Sequence, residues 1–458
     1  MAGIRRLLVA NRGEIAVRVI RAAQALGIET VLAASAADRD SLGARLADRT
    51  VVLGPGPAAQ SYLNPGLVVE AARGTGCDAL HPGYGFLSEK PALARACAEH
   101  GITFVGPPPD TIEQMGDKLA ARAVAKAAGV PLLPGSAAVE SSAAAAKVAA
   151  EVGYPVLLKA AAGGGGRGMM IAGDEPALHE AFETASTEAR AAFGDGTLYV
   201  ERFIRNARHI EVQVLADGRG KVLHLGERDC SVQRRYQKVI EEGPAATVAP
   251  EIRSEIQQAA VRLISTLDYA NAGTVEFLYD ADRAAFFFIE VNARIQVEHP
   301  VTELITGQDL VAWQLRIAGG EPLTLEQADI AVEGHAIECR INAEDPANGF
   351  RPSPGRVHGF AAPADPAVRF DTYLAEGALV PPFYDSMVGK LLVHGTDRDD
   401  AIAKMLAALD ALRIDGLSTN QSFHTFVLRH PDFAAGRVHT RWLETVGMDA
   451  FLAREPAA

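Results

Sequence analysis

The sequence predicts an α/β protein of more than one domain, on three observations. The chain has 458 residues, more than a single ordinary core encloses, so two or three domains are expected. Apolar residues make up 48% of it, a globular rather than a disordered composition. Its first hundred residues alternate buried-strand patterns with an amphipathic helical one, the order that builds a parallel sheet through right-handed crossovers.

Leu7–Asn11 (LLVAN) reads as a buried strand, Glu14–Gly27 (EIAVRVIRAAQALG) as an amphipathic helix closed by glycine, and Thr30–Ser35 (TVLAAS) as a second strand. The turn after the first strand, ANRGEIA, lacks G-x-G-x-x-G, so a dinucleotide phosphate site is not expected there. Further on, HPGYGFLSE (His81–Glu89) sets Tyr84 between two glycines, where the backbone can bend sharply and present the ring. A plain turn is the commoner reading of such a stretch.

A second unit opens with an Ala-rich helix and the strand PVLLKA, which carries Lys159. Four glycines, Arg167 and Gly168 follow, and then another strand, Met169–Ala172. A glycine run is often a linker. Strands bound this one closely and a basic residue stands near each end, so it reads instead as a hairpin loop able to lay N–H groups over phosphate. TLYVERFI (Thr197–Ile204) is a strand carrying Glu201. In RHIEVQVLAD, Ile210, Val212 and Val214 alternate with His209, Glu211 and Gln213, a pattern usually made by one solvated strand face. The charged stretch GERDCSVQRRYQKVIEEGP includes Lys238. AGTVEFLYD and AAFFFIEVNARIQ then read as an antiparallel pair around Asp282, which lets Glu276 and Glu290 converge across the sheet.

Several classes are disfavoured. Acidic residues outnumber basic ones, 57 to 44, the wrong balance for a non-specific nucleic-acid binder. No apolar run approaches 18 residues, so no membrane span is expected, and the N-terminus lacks the pattern of a signal peptide. Cys77, Cys97, Cys230 and Cys339 match no zinc or C-x-x-C spacing and read as reduced packing residues of a cytoplasmic protein.

The chemistry concentrates in IEVNARIQVEHPVTE (Ile289–Glu303). Glu290, Asn292, Arg294, Gln296 and Glu298 alternate, as if one extended strand sent five polar groups to one side. Two carboxylates on neighbouring strands plus an amide suit a hard divalent cation such as magnesium, which commonly brings nucleotide phosphates. Arg294 is a fork suited to a planar oxyanion, and Glu298 stands nearby as a base. Metal and anion meeting in one stretch suit phosphoryl transfer from ATP to a small oxyanion.

At these residues the chain resembles the biotin carboxylase family of ATP-grasp enzymes. The likeness covers nearly the whole chain, through LVANRGEIAVRVIRA, HPGYGFLSE, GGGGRGM, RDCSVQRR, QKVIEE, IQVEHPVTE, GHAIECRINAEDP, PSPG and YDSMVGKLL. It implies an α/β and α+β multidomain fold. An N-terminal parallel α/β (pre-ATP-grasp) domain would span 1–116, and an ATP-grasp domain 117–330, with a mobile Gly-rich lid at about 134–204. A C-terminal α+β domain would span 331–446, before a tail at 447–458.

The resemblance also implies the site. Lys118, Lys159, Gly165, Gly166, Glu201, Arg202, Phe203, Ile204, His209, Gln233 and Tyr236 fall at ATP-binding positions, together with Glu276 and Glu290. Glu276, Glu290 and Asn292 match the metal set, for Mg²⁺ or Mn²⁺. Lys238, Arg294, Gln296, Val297, Glu298 and Arg340 match the bicarbonate and biotin site, with Tyr84 near the biotin ring. Lys238, Arg294, Glu298 and Arg340 are the catalytic set. In the implied reaction Glu298 deprotonates bicarbonate, carbonate attacks the γ-phosphate of ATP, and carboxyphosphate yields CO₂ and phosphate. That phosphate takes the biotin N1′ proton while Arg340 stabilises the ureido oxygen. For Arg340 the local pattern alone would favour a surface pair with Glu338 or Glu344.

Two departures stand out: Ala161 and Ala162 where the family often has Ser-Gly, and Tyr236 where it often has His. No Ala-Met-Lys-Met motif occurs, so biotin is expected on a separate biotin carboxyl carrier protein, with a carboxyltransferase completing the system. A homodimer is expected by resemblance. The final acyl-CoA or keto-acid acceptor is not readable. Two rivals remain: an ATP-grasp ligase joining a carboxylate to an amine, and a non-catalytic ATP-binding subunit.

Overall fold

The computed structural model describes residues 3–161 and 168–454. Its first sheet has five parallel strands in the order Arg49–Gly54, Glu29–Ser35, Arg6–Val9, Ala79–His81 and Thr103–Phe104. The first predicted strand ends early, at Val9. Asn11 lies beyond it and donates its amide to the carbonyls of Pro82 and Tyr84, 2.7 Å each, so the first turn holds the HPGYG loop. That loop does bend sharply: Gly83, Gly85 and Phe86 have φ of 62°, 66° and 41°. The helix Gly13–Ala25 buries Ile15, Val19 and Ile20, the stripe its periodicity predicts.

The lid region is a small sheet with its own core. Gly135–Val139, Leu198–Arg202, Val156–Ala160 and Met169–Ala172 form four antiparallel strands in that order. The helices Ser142–Val152 and Glu175–Phe193 face it with Ala145, Ala149, Ala185 and Ala189, all fully buried. The predicted hairpin pairing is present, with Lys159 opposite Met169. Ala162, Gly163, Gly165, Gly166 and Arg167 lie outside the described residues.

The largest sheet has eight strands, ordered Ala285–Asn292, Ala270–Asp280, Ala207–Asp217, Val222–Arg234, Gln237–Gly243, His335–Asn342, Met387–Gly395 and Val368–Thr372. All its pairings are antiparallel. The helix Pro250–Ile264 packs on the Ile210–Val212–Val214 face through Ile256, Ala259 and Leu263. Gln237–Gly243 pairs with His335–Asn342, so one ladder runs from the ATP-grasp strands into the C-terminal ones. Continuous pairing leaves no open edge at that seam.

Two expectations are corrected. The His209–Glu211–Gln213 face is not solvated: Glu211 and Gln213 are 0% exposed and His209 is buried. Both faces of Ala207–Asp217 are covered, and the polar face is satisfied by other side chains rather than by water. The run from Glu290 to Glu298 is not one strand either. The strand ends at Asn292, and Glu298 is the N-cap of the helix His299–Thr306. Pro300 at the start of that helix suits a first turn, whose N–H groups have no helical partner, and not a central strand.

Candidate active site

A cavity of about 690 Å³ opens between the lid, the large sheet and the HPGYG loop. Its floor is built from charged residues on adjacent strands. Glu276 and Glu290 stand directly opposite each other. One step along, Phe277 pairs with Phe288, so Ile289 is the extra residue of a bulge that re-aims the end of the strand. Gln233 and Lys238 face each other across the hairpin Val222–Gly243. Its turn is Arg235–Tyr236, with φ of 51° and 64°, a two-residue hairpin turn that usually recruits Asn and Gly.

Lys238 is the hub. Its Nζ donates to Glu211 Oε2 at 2.5 Å, Glu276 Oε1 at 2.9 Å and Glu298 Oε1 at 2.6 Å. Glu298 Oε2 in turn accepts from Arg340 at 2.9 Å, and Arg340 Nε donates to Glu241 at 2.5 Å. Arg340 is therefore not paired with Glu338 or Glu344, as local pattern would suggest. Strand pairing turns it toward Glu241, and helix entry brings Glu298 to it.

Beneath the hub lies Arg228, 0% exposed, which sequence reasoning passed over. It donates to Glu211 at 2.7 Å, Gln213 at 2.9 Å, Thr302 at 2.7 Å and Gln296 at 2.7 Å. Gln296 passes the connection on by donating to Glu276 at 2.8 Å. A buried guanidinium with its N–H groups engaged this way fixes several side chains at once. Glu211 was also missed. Its alternation with His209 was visible, but exposed strand faces alternate too.

These contacts set the protonation states. Burial would raise the Glu211, Glu276 and Glu298 carboxyls; Lys238 outweighs it in each case, helped by Arg228, His209 and Arg340 respectively, so all three lie below the usual carboxylate range. Burial would lower His209, but Glu276, 3.2 Å from its Nε2, lifts it to about 9. Glu290 goes the other way. Burial and the charge of Glu276 raise it, and among the described residues its carboxylate has no hydrogen-bond partner. Paired carboxylates, one with free oxygens, are a donor set that a hard divalent cation fits. Asn292 fits less directly, because its Oδ1 accepts from Arg294 at 2.7 Å.

Arg294 also donates Nε to Glu89 at 2.9 Å, tying the stretch after the strand Ala285–Asn292 to the HPGYGFLSE loop. The residues expected at ATP-binding positions gather at the other end of the cavity. Lys159 and Arg122 both pair with Glu201, Lys159 at 2.7 Å. Glu201 sits behind Lys159 rather than on the wall. Lys118 begins the helix Lys118–Ala127 and lines the cavity near Glu290. Arg202, Phe203, Ile204, His209, Gln233 and Tyr236 line it as well. The Arg202 guanidinium, however, donates to the Val152 carbonyl at 2.8 and 3.1 Å. Tyr84, Gln296 and Val297 complete the wall beside Arg294, Glu298 and Arg340. Of the expected residues, Gly165 and Gly166 lie outside the described ones.

A lid sheet over an antiparallel sheet, with lysines on the lid side and a carboxylate pair on the floor, defines an ATP-grasp ligase. Comparison with known proteins narrows the class. Residues 3–112 match the family model for the biotin carboxylase N-terminal domain. Residues 117–326 match that for the carbamoyl-phosphate synthase L chain ATP-binding domain, and 338–445 that for the biotin carboxylase C-terminal domain. The biotin carboxylase of Pseudomonas aeruginosa is 50% identical over 449 residues, covering 97% of this chain and 99% of that one. The solved biotin carboxylase–β,γ-ATP complex from Campylobacter jejuni superposes with a TM-score of 0.94 at 45% identity, over 96% of this chain and 98% of that one. A biotin carboxylase domain dimer of the Hydrogenobacter thermophilus 2-oxoglutarate carboxylase, bound to MgADP, ADP and bicarbonate, gives 0.95 at 44% identity over the full length of both. The chain belongs to the biotin carboxylase family.

Proposed function

We propose that this protein carboxylates biotin, using ATP and bicarbonate, as the first half-reaction of an acetyl-CoA or other acyl-CoA carboxylase. The observation that carries this reading is Glu298. Its carboxylate is held ionised between Lys238 and Arg340, on the same wall as Arg294 and a few side chains from the Glu276–Glu290 pair.

Bicarbonate is held by Arg294 and the backbone at Gln296 and Val297, where Glu298 Oε takes its proton. The carbonate oxygen attacks the γ-phosphorus of ATP and ADP leaves, giving carboxyphosphate. That breaks into CO₂ and phosphate, the phosphate takes the biotin N1′ proton, and N1′ attacks CO₂. Arg340, already a charge partner for carboxylates, stabilises the ureido oxygen as it gains negative charge. Lys118, Lys159 and His209 hold the nucleotide phosphates, Phe203, Ile204 and Tyr236 bound its base, and Tyr84 faces the biotin ring. Mg²⁺ or Mn²⁺ on Glu276 and Glu290 would supply the positive charge that the phosphates need at transfer. Asn292 would join that set through the second lone pair of the Oδ1 that accepts from Arg294. The lid, about 134–204, closes to keep water from the reactive intermediate.

The biotin would arrive on a carrier protein, and a carboxyltransferase would receive the product; both follow from the family. The dimeric Hydrogenobacter domain supports a homodimer here. Among the described residues no helix is long and apolar enough to cross a membrane. The four cysteines are free and buried, in keeping with a reducing cytoplasm. ADP release measured with and without bicarbonate, and with and without free biotin, tests the reading. Release that depends on an amine and a carboxylate instead of bicarbonate overturns it.

A further inference from the structure

Among the buried charged residues to which the proposed reaction gives no task, two stand next to its site. Lys390, on the strand Met387–Gly395, is 0% exposed, and Glu14, in the first turn of the helix Gly13–Ala25, is 3% exposed. Their ion pair, 3.1 Å from Nζ to Oε2, joins the first part of the fold to the last. A buried ion pair is weak evidence for stability by itself, because desolvation offsets its attraction. Its other contacts are more informative. Lys390 Nζ donates to the Val297 carbonyl at 2.9 Å, and Glu14 Oε1 accepts from the Tyr84 hydroxyl. One chain of contacts therefore runs from the ring on the cavity wall, through Glu14 and Lys390, to the peptide between Val297 and Glu298.

That peptide matters because it is planar: holding the Val297 carbonyl fixes the plane that also contains the Glu298 N–H. Glu298 is the N-cap of the helix His299–Thr306, with φ −82° and ψ 11°, in the connection between strand and helix. From there its carboxylate must reach Lys238 and Arg340 together. A rotated peptide would swing the Cα–Cβ bond and lose one of them.

We infer that Lys390 and Glu14 are positioning residues, which set the Val297–Glu298 peptide and so aim Glu298 at bicarbonate, in register with the Tyr84 loop. The inference rests on the proposed function, since it takes Glu298 as the base. It ties two elements of one subsite, the anion loop and the ring that faces biotin, to a single buried pair contributed by two distant parts of the chain.

The test compares three variants with the wild type. Lys390→Met keeps an unbranched side chain one atom shorter and removes the charge. The double variant Glu14→Gln/Lys390→Met removes both members of the pair, so neither is left buried without the other. Glu14→Gln alone is the mildest. Bicarbonate-dependent ADP release by the wild type is measured first; its absence overturns the proposed function rather than this inference. Given that activity, kcat/KM for bicarbonate is expected to fall roughly 10- to 10²-fold in both Lys390 variants, because small misplacements of a reacting group cost that much. Affinity for ATP without bicarbonate is expected to stay within about twofold. The double variant is expected to regain thermal stability over Lys390→Met without regaining activity. The inference is overturned by a wild-type kcat/KM for bicarbonate in either Lys390 variant, by an equal loss of ATP affinity, or by activity that returns together with Tm. Should both Lys390 variants fail to fold, Glu14→Gln decides by the same measure: a wild-type value there sinks the idea.

Discussion

The floor of the cavity and the lid above it are built on opposite plans. The floor packs Glu211, Arg228, Lys238, Glu276, Gln296, Glu298 and Arg340 into one hydrogen-bonded network, most of it buried. The lid rests on alanines, valines and leucines, and its described ion pair toward the cavity is Lys159 on Glu201, which Arg122 meets from the helix Lys118–Ala127. The floor resists rearrangement because every charge there depends on several others. The lid sheet has a small core of its own, joined to the helix Lys118–Ala127 through the Arg122–Glu201 pair. In the proposed reaction, the groups that must be held to fractions of an ångström sit on the first, and nucleotide entry and exclusion of water fall to the second.

Five experiments would break or sharpen this contrast. The largest effect is expected at Arg228. Arg228→Met leaves Glu211 buried with one cation fewer, and should cost about 3–5 kcal/mol of stability in denaturant unfolding. A loss below about 1 kcal/mol would show that the floor is not a coupled network. Next, Glu298→Gln should keep Mg·ATP binding yet lower turnover roughly 10²-fold or more; wild-type turnover in the purified variant ends its role as base.

The two arginines should then separate. Arg294→Ala is expected to damage bicarbonate-dependent ATP cleavage itself. Arg340→Ala should damage biotin carboxylation more than cleavage, by roughly tenfold between the two assays. Equal losses in both assays for both variants would refute that division.

On the lid, effects should be smaller and confined to nucleotide. Lys159→Met is expected to raise the ATP KM roughly tenfold, the usual worth of one charged hydrogen bond, with a smaller drop in the unfolding midpoint than Arg228→Met gives, since Arg122 still pairs with Glu201. A drop in the midpoint as large as that of Arg228→Met would mean that lid and floor are one cooperative unit. The smallest effect is expected at Tyr236. It is 43% exposed in a tight turn, and its hydroxyl has no hydrogen-bond partner among the described residues. Tyr236→Phe should therefore leave the ATP KM within about twofold, and a larger rise would reveal a contact made only with nucleotide bound.

Much of this was legible along the chain. The parallel start of the fold showed in the alternation of strand and helix, and the lid hairpin in a glycine run flanked by strands. The Glu276–Glu290 pair was readable because two short strands with a polar turn between them have few ways to pair. Motif resemblance placed Lys238, Arg340 and His209, whose local surroundings gave no reason to single them out. Other features were not legible. Ile289 reads as one more residue of an apolar strand, but pairing across the bulge is what brings Glu290 opposite Glu276. Glu211 and Arg228 look like surface charges of an alternating sheet until the other face is covered.

By itself the sequence determined which backbone forms were available and which chemical groups were present: the helix stripe at Ile15–Ile20, the glycines at Gly83 and Gly85, the two carboxylates and the arginine of Glu290–Glu298. Those are local properties, set by side-chain periodicity and by φ and ψ preferences over a few residues. Only the tertiary structure decided partners. Arg340 faces Glu298 instead of its sequence neighbours, and Lys390 reaches Glu14 and Val297 from the far end of the chain. The reason is physical: the energy of a charge depends on its burial and on what lies within a few ångströms, and both are set by contacts between segments far apart in sequence.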